Sequence, residues 1–281
     1  MRNHTAMRDS RATPADGFID LDGARVRFRD EGRGLPVILI HGWALDLEMW
    51  QPQVAAWAPH LRMIRFDRRG FGTSSGQPSL AADARDVESL LRRLNLARVA
   101  ILGMSQGARV AMRVAAGPLR ARVVCLVLDG APFDGSDPGE PEVPLDRYRE
   151  LALHHGIDAV RREWSSHPFV QLRSKDRVAH ELLSRMTARY PANDLLARAQ
   201  ARIGEPQVVG AIDVATLVLN GALDTERRRA MGDELWRALP KAERALVADA
   251  GHLPNLDNPA AYNRLVLSFI ERHAVGSRAG G

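Results

Sequence analysis

The 281-residue chain is 45% hydrophobic and 26% charged with a formal net charge of +5, the balance of a globular protein with chain enough for one large core, not of a disordered segment. No stretch reaches the roughly 18 uninterrupted apolar residues that a membrane helix needs, so no membrane association is expected. The excess of arginine is scattered and set beside acids, as in Arg147-Tyr148-Arg149-Glu150, without a basic stripe interleaved with aromatics, so no nucleic-acid partner is expected either.

The opening residues are polar and lack the apolar centre of a secretory signal, so residues 1–16 read as a flexible tail and the protein as cytoplasmic. From Phe18 to Asp30 the residues alternate around Asp22-Gly23, a dipeptide favoured in tight turns, which predicts a β-hairpin. Short apolar runs follow at Val37 to Ile40, Arg62 to Phe66, Val99 to Leu102, Val123 to Leu128, Thr216 to Leu219 and Ala245 to Val247. Helical patterns separate these runs, and the runs lack strict polar alternation, so the strands are covered on both faces. The single cysteine, Cys125, lies inside one run; it excludes an internal disulfide, fits a reducing compartment and reads as a core residue.

Between Asp134 and Gln207 the rhythm breaks. Helical spacing appears at Asp146 to His155, Ala159 to Trp164 and Asp176 to Tyr190, with Pro138, Pro141 and Pro144 at the start and Pro206 at the end. Residues 134–207 are therefore expected to form a helical lid inserted between a first core part at 17–133 and a second at 208–274, with 275–281 a frayed end. The fold class is α/β: a mostly parallel twisted sheet of about eight strands with helices on both faces and an inserted helical lid.

Gly103-Met104-Ser105-Gln106-Gly107 follows a strand run and precedes the helical stretch Ala108 to Ala116, the strand-turn-helix setting that a G-x-S-x-G elbow requires. The glycines allow a sharp reversal and close approach of neighbouring backbone. A serine hydroxyl is a poor nucleophile near neutral pH and needs a base, for which histidine is suited. His4 lies in the tail, and His60, His154, His155, His167, His180 and His273 lie on helical or lid segments where surface or packing roles are the default. His252, in Ala250-Gly251-His252-Leu253-Pro254 after the last strand run, satisfies the chain order Ser, acid, His. Asp224, in the loop after Thr216 to Leu219, is the preferred orienting acid; Asp129, at the end of Val123 to Leu128, remains a rival. The backbone N–H groups of Trp43 and Gln106 are the candidate oxyanion donors. No cluster of His, Cys and acids has metal-ligand spacing, so neither a metal nor an organic cofactor is expected.

These residues resemble the α/β-hydrolase family from about Phe18 to His273. The resemblance rests on the elbow, on His41-Gly42-Trp43, on Asp67-Arg68-Arg69-Gly70-Phe71-Gly72-Thr73-Ser74, on Leu219-Asn220-Gly221-Ala222-Leu223-Asp224, and on Gly251-His252 followed by Asn258-Pro259. It implies that Asp67, Arg69 and Gly72 shape the loop beside the site and that His41 braces the oxyanion loop without acting as base. Gln106-Gly107-Ala108 departs from relatives that carry Met or Leu and two glycines there, which leaves the amide of residue 106 in place. His41-Gly42-Trp43-Ala44-Leu45 is similar to bacterial carboxylesterases, and Asp67-Arg68-Arg69-Gly70 to cofactor-free perhydrolases. Gly156-Ile157-Asp158-Ala159 with Trp164 and Pro168-Phe169 is similar to a menaquinone-pathway synthase that eliminates pyruvate. Arg161, Arg162 and Arg173 are candidates to hold a substrate carboxylate, with solvated surface as their default.

The function expected is cleavage of a small ester or lactone through an acyl-enzyme, by a monomer or homodimer with a small-molecule substrate. The rivals are a lyase or C–C hydrolase using the same triad and, less favoured, a ligand receptor on a hydrolase fold.

Overall fold

The computed structural model describes residues 15–133, 135, 141–197 and 205–275. Apart from Ala15, Asp16 and Val275, the tails expected at 1–16 and 275–281 lie outside these residues, as does Asp134, the expected first residue of the insertion.

Strands β1 (Ala15–Leu21) and β2 (Ala24–Gly32) pair antiparallel with Leu21 opposite Ala24. The two residues between them, Asp22 and Gly23, both have positive φ, 32° and 79°, the two-residue turn whose twist matches a hairpin. Next come β3 (Leu35–Ile40), α1 (Gln51–Trp57), β4 (Leu61–Phe66), α2 (Leu80–Arg93), β5 (Val99–Met104), α3 (Gln106–Ala115) and β6 (Val123–Asp129). Helices α4 (Leu145–His155), α5 (Ile157–Trp164), α6 (Arg177–Ala188) and α7 (Asn193–Leu196) form the excursion, and α8 (Glu205–Val209) leads back. The chain ends with β7 (Thr216–Gly221), α9 (Glu226–Ala238), β8 (Ala242–Val247), α10 (Pro254–Asp257) and α11 (Pro259–Val275).

The eight strands form one sheet in the order β1-β2-β4-β3-β5-β6-β7-β8, antiparallel at β1–β2 and β2–β4 and parallel at every other pairing. The α/β class, the mostly parallel sheet and the helices on both faces are as the sequence predicts. Alternate residues of the central strands enter two cores. Leu39, Leu102, Val127 and Leu219 pack with α1, α11 and the excursion, including Trp57, Phe269 and Trp164. Ile38, Ile101, Leu126 and Val218 pack with α2, α3, α8 and α9, including Val87, Val110, Val208 and Leu235. Cys125 is fully buried in the first core.

The chain leaves β3 through α1 to β4 on one side, and leaves β5 through α3 to β6 on the other. Connections diverging from adjacent parallel strands open a crevice at the strands' carboxyl ends. The Trp43 and Ser105 turns lie at that crevice. No helix among the described residues is long and apolar enough to cross a membrane.

Candidate active site

Ser105 sits between β5 and α3 with φ 50° and ψ −117°. A non-glycine residue held there stores on the order of 1–3 kcal/mol of strain and needs surroundings that over-determine it. The Ser105 N–H donates to the main-chain oxygen of Asp129 at 2.7 Å. A Cβ on Gly103 would run into the Gly107 carbonyl, and one on Gly107 would run into the carbonyls of Ile40 and His41. The flanking glycines therefore let α3 start directly against the end of β3, with Ser105 raised at the tip.

Ser105 Oγ lies 3.1 Å from His252 Nε2, and His252 Nδ1 lies 3.0 Å from Asp224 Oδ2. A carboxylate only accepts, so Nδ1 carries the proton and Nε2 is left to accept from the serine hydroxyl. Burial raises the Asp224 pKa, but the neighbouring His252 and the Thr225 N–H, which donates to Oδ1 at 2.8 Å, outweigh it and hold the carboxyl below its ordinary value. The Asp224 loop is tied to the His252 loop by Ala222 N–H to Val247 O and Leu223 N–H to Ala250 O, both 2.8 Å. Asp257 Oδ2 accepts from Gly251 N–H at 2.7 Å, fixing the other side of the histidine. A Cβ on Gly130 would stand 3.0 Å from His252 Cε1, so the imidazole has bare backbone on one flank, and the Phe169 ring stacks on it with centroids 3.8 Å apart.

The sequence left the orienting acid open, and the structure brings Asp224 to His252. Asp129 lends its main-chain carbonyl to the elbow while its buried side chain faces Tyr262 of α11. Burial, with the charge of Asp224 added, pushes the Asp129 pKa well above the ordinary carboxyl value.

Trp43 follows β3, and Gln106 opens α3, where the first amides have no partner within the helix. His41 is fully buried; its Nε2 accepts from Arg68 N–H at 2.9 Å, so its Nδ1 donates to Gly42 O at 2.8 Å. Burial lowers its pKa well below the ordinary value, which suits a neutral brace. Asp67 accepts from Leu47 N–H at 2.9 Å and Thr73 N–H at 3.0 Å, and Arg69 grips Asp86 through two bonds of 2.6 Å. The segment from Asp67 to Gly72 thus fastens the loop after β3.

Beside Ser105 lies a cavity of about 20 Å³, room for about one water molecule. Apart from Ser105 and His252 its lining is apolar and includes Trp43, Met104 and Leu253 of the core and Val143, Trp164 and Phe169 of the excursion. Among the described residues no cation lines it. Arg161, weighed from the sequence as a carboxylate holder, donates to Tyr190 O at 2.8 and 3.0 Å instead, while Arg162 and Arg173 are exposed.

A sequence profile described as the alpha/beta hydrolase family matches residues 37–265. The chain belongs to that family. It is 26% identical to the putative 2-succinyl-6-hydroxy-2,4-cyclohexadiene-1-carboxylate synthase of Bacillus subtilis, over 89% of this chain and 96% of that one. It is 26% identical to the pimeloyl-(acyl-carrier protein) methyl ester esterase of Pectobacterium atrosepticum, over 88% of this chain and 99% of that one. Among solved structures it is similar to a thermophilic esterase from Thermogutta terrifontis, with a TM-score of 0.76 at 25% identity over 94% of this chain and 100% of that one. These likenesses make the protein an alpha/beta hydrolase and leave its substrate open.

Three features of this alpha/beta hydrolase were missed in reading the sequence. Trp43 Nε1 donates to Asp194 Oδ2 at 2.7 Å, and the same carboxylate takes the Tyr190 hydroxyl at 2.5 Å. The Arg228 guanidinium lies 4.8 Å over Phe169, on the ring that stacks on His252. Arg68 Nη2 donates to Gln106 Oε1 at 2.7 Å. For the last there was a signal: an amide side chain where relatives carry Met or Leu needs a polar partner when it is buried.

Proposed function

We propose that the protein is a cofactor-free serine hydrolase that cleaves a small, uncharged carboxylic ester or lactone through an acyl-enzyme. The observation that carries this is the relay from Asp224 through His252 to Ser105, whose hydroxyl opens on an apolar cavity. Ser105 Oγ attacks the carbonyl carbon as its proton passes to His252 Nε2, and Asp224 steadies the imidazolium. The oxygen that gains charge accepts from the N–H groups of Trp43 and Gln106, a donor of this kind contributing about 3 kcal/mol. Collapse expels the alcohol, which takes the proton from His252; a water activated by the same nitrogen then releases the acid.

The apolar lining favours this reading over a lyase or C–C hydrolase acting on charged acids, because a substrate carboxylate buried there would lack a partner. Room for one water does not admit an ester, so helices α4 to α7, within the insertion expected at 134–207, act as a lid that parts for the substrate. A cytoplasmic setting fits a chain whose single cysteine is buried in the sheet. The experiment is turnover of a panel of p-nitrophenyl esters and lactones by the protein and by Ser105→Ala and His252→Ala. Activity lost in both variants is expected; activity that survives in Ser105→Ala, or release of pyruvate from a carbon skeleton, overturns the reading.

A further inference from the structure

Arg68, in the turn after β4, is only 1% exposed and takes no part in the chemistry above. Desolvating a guanidinium is costly, so a buried one is held by what it binds. Nη1 pairs with Asp83 of α2 at 3.1 Å, and the cation lies 4.4 Å over the Phe71 ring. Nη2 donates twice: to Gln106 Oε1 at 2.7 Å and to Gly42 O at 3.3 Å. The main-chain N–H of Arg68 also fixes the His41 tautomer, which sends a second donor to the same Gly42 oxygen, at 2.8 Å.

The Gly42 carbonyl shares its peptide unit with the N–H of Trp43. That unit is planar and trans, so the N–H points directly away from the carbonyl. Two donors on the carbonyl, one of them a buried cation, therefore fix the direction of the Trp43 N–H and polarise the amide so that it donates more strongly. The same nitrogen holds the side chain of Gln106, whose own N–H is the other oxyanion donor. We propose that Arg68 is the positioning residue of the oxyanion hole, a single buried guanidinium that sets both donors from behind; this rests on the serine-hydrolase reading.

The test is Arg68→Met and Arg68→Lys, each titrated with a p-nitrophenyl alkylphosphonate. The stoichiometry of labelling counts intact Ser105 sites, and kcat is then expressed per titrated site. Removal of the cation is tolerable to the fold because burial already pushes the Asp83 pKa up to about 6, so that side chain can take a proton. Arg68→Met is expected to lose about tenfold to a hundredfold in kcat per site, with KM within about threefold, because the donors are misdirected and not removed. The affinity of an alkylboronic acid, which forms a tetrahedral adduct with the serine, falls by a similar factor. Arg68→Lys keeps the charge but presents its donors from a single nitrogen, and recovers part of the rate. A kcat per site within threefold of wild type in Arg68→Met overturns the proposal, as does a loss that appears only as fewer titratable sites. If Arg68→Met does not fold, a wild-type kcat per site in Arg68→Lys overturns it, because one ammonium cannot reproduce the fork. A wild-type protein that takes no phosphonate overturns the serine-hydrolase reading itself, and the proposal with it.

Discussion

Replacing Asp194 by alanine removes a buried acceptor from two buried donors, the Trp43 indole N–H at 2.7 Å and the Tyr190 hydroxyl at 2.5 Å. All three residues are under 9% exposed. Each donor stranded without a partner costs about 1–3 kcal/mol, so Asp194→Ala is expected to lose about 2–6 kcal/mol of unfolding free energy. Asp194→Asn keeps one oxygen acceptor and is expected to lose about half as much. Trp43→Phe deletes one donor while retaining most of the ring contacts, so in the double variant that donor is no longer stranded. Urea unfolding of the wild type, both single variants and the double, followed by far-ultraviolet circular dichroism, measures the coupling. The expected interaction is about 1–3 kcal/mol, and additivity to within about 0.5 kcal/mol would show that the bond carries nothing. Because the Trp43 ring lines the cavity and its amide is a proposed oxyanion donor, kcat toward an ester substrate should fall in the single variants in the same order as stability.

Three other outcomes follow from the same geometry. Asp224→Asn is expected to lower kcat by about 10⁴-fold through the wrong imidazole tautomer, while Asp129→Asn stays within about threefold; the large loss falling on Asp129→Asn and not on Asp224→Asn would restore Asp129 as the orienting acid. Ser105→Gly relieves the φ of 50° at the elbow and should raise the unfolding free energy by about 1 kcal/mol while abolishing turnover; calorimetry showing no gain would mean that the elbow is not strained. Burial, with the charge of Asp46 added, pushes the Asp67 pKa from 3.8 up to about 6. A raised carboxyl keeps its proton in the folded state after the unfolded chain has lost it, so this group's contribution is greatest below 3.8, declines up to about pH 6 and is flat above. The whole decline amounts to about 3 kcal/mol at 1.36 kcal/mol per unit, of which about 2 kcal/mol falls above pH 4.5, and Asp67→Asn should remove that part from the profile of urea midpoints between pH 4.5 and 7.5; parallel profiles would contradict the shift.

What the sequence made legible was local. The Asp22-Gly23 turn, the apolar runs and the elbow glycines each declare themselves within a few residues, and chain order joins Ser105 to His252 while leaving both Asp224 and Asp129 between them. The start of β8 at Ala242, three residues before the apolar run, was hidden because Glu243 and Arg244 on the edge strand interrupt the hydrophobic signal. The cavity wall was hidden for a different reason. Trp43 and Asp194 are 151 positions apart, and nothing in either neighbourhood marks the pairing. Aromatic residues in α4, α5 and the turn after them read as ordinary core positions until the fold sets Trp164 edge-on to Trp43 and Phe169 face-on to His252.

The two halves of the excursion are held by different forces, and that difference bears on how a substrate enters. Around the end of α6 and α7, Arg189 bonds Asp46 at 2.6 Å and Glu48 at 2.7 Å, Asp194 takes the Trp43 indole, and Asn193 donates to Gly70 O at 3.3 Å. The Arg189 and Asp194 ties end on the loop that carries the Trp43 amide and the Asn193 tie on the turn after β4, so moving this half would disturb the proposed oxyanion donors. Helices α4 and α5 meet the same loop through rings, with Tyr148 stacked on Trp43 at 5.7 Å and Trp164 edge-on to it at 4.6 Å. Ring contacts are non-directional beside hydrogen bonds and can be exchanged for contacts to a substrate of similar polarity. On the proposed lid reading, opening by α4 and α5 leaves the ties of α6 and α7 to this loop in place and gives up the two bonds from Arg161 of α5 to Tyr190 O. On that reading Val143, Trp164 and Phe169, which line the cavity, would meet the substrate.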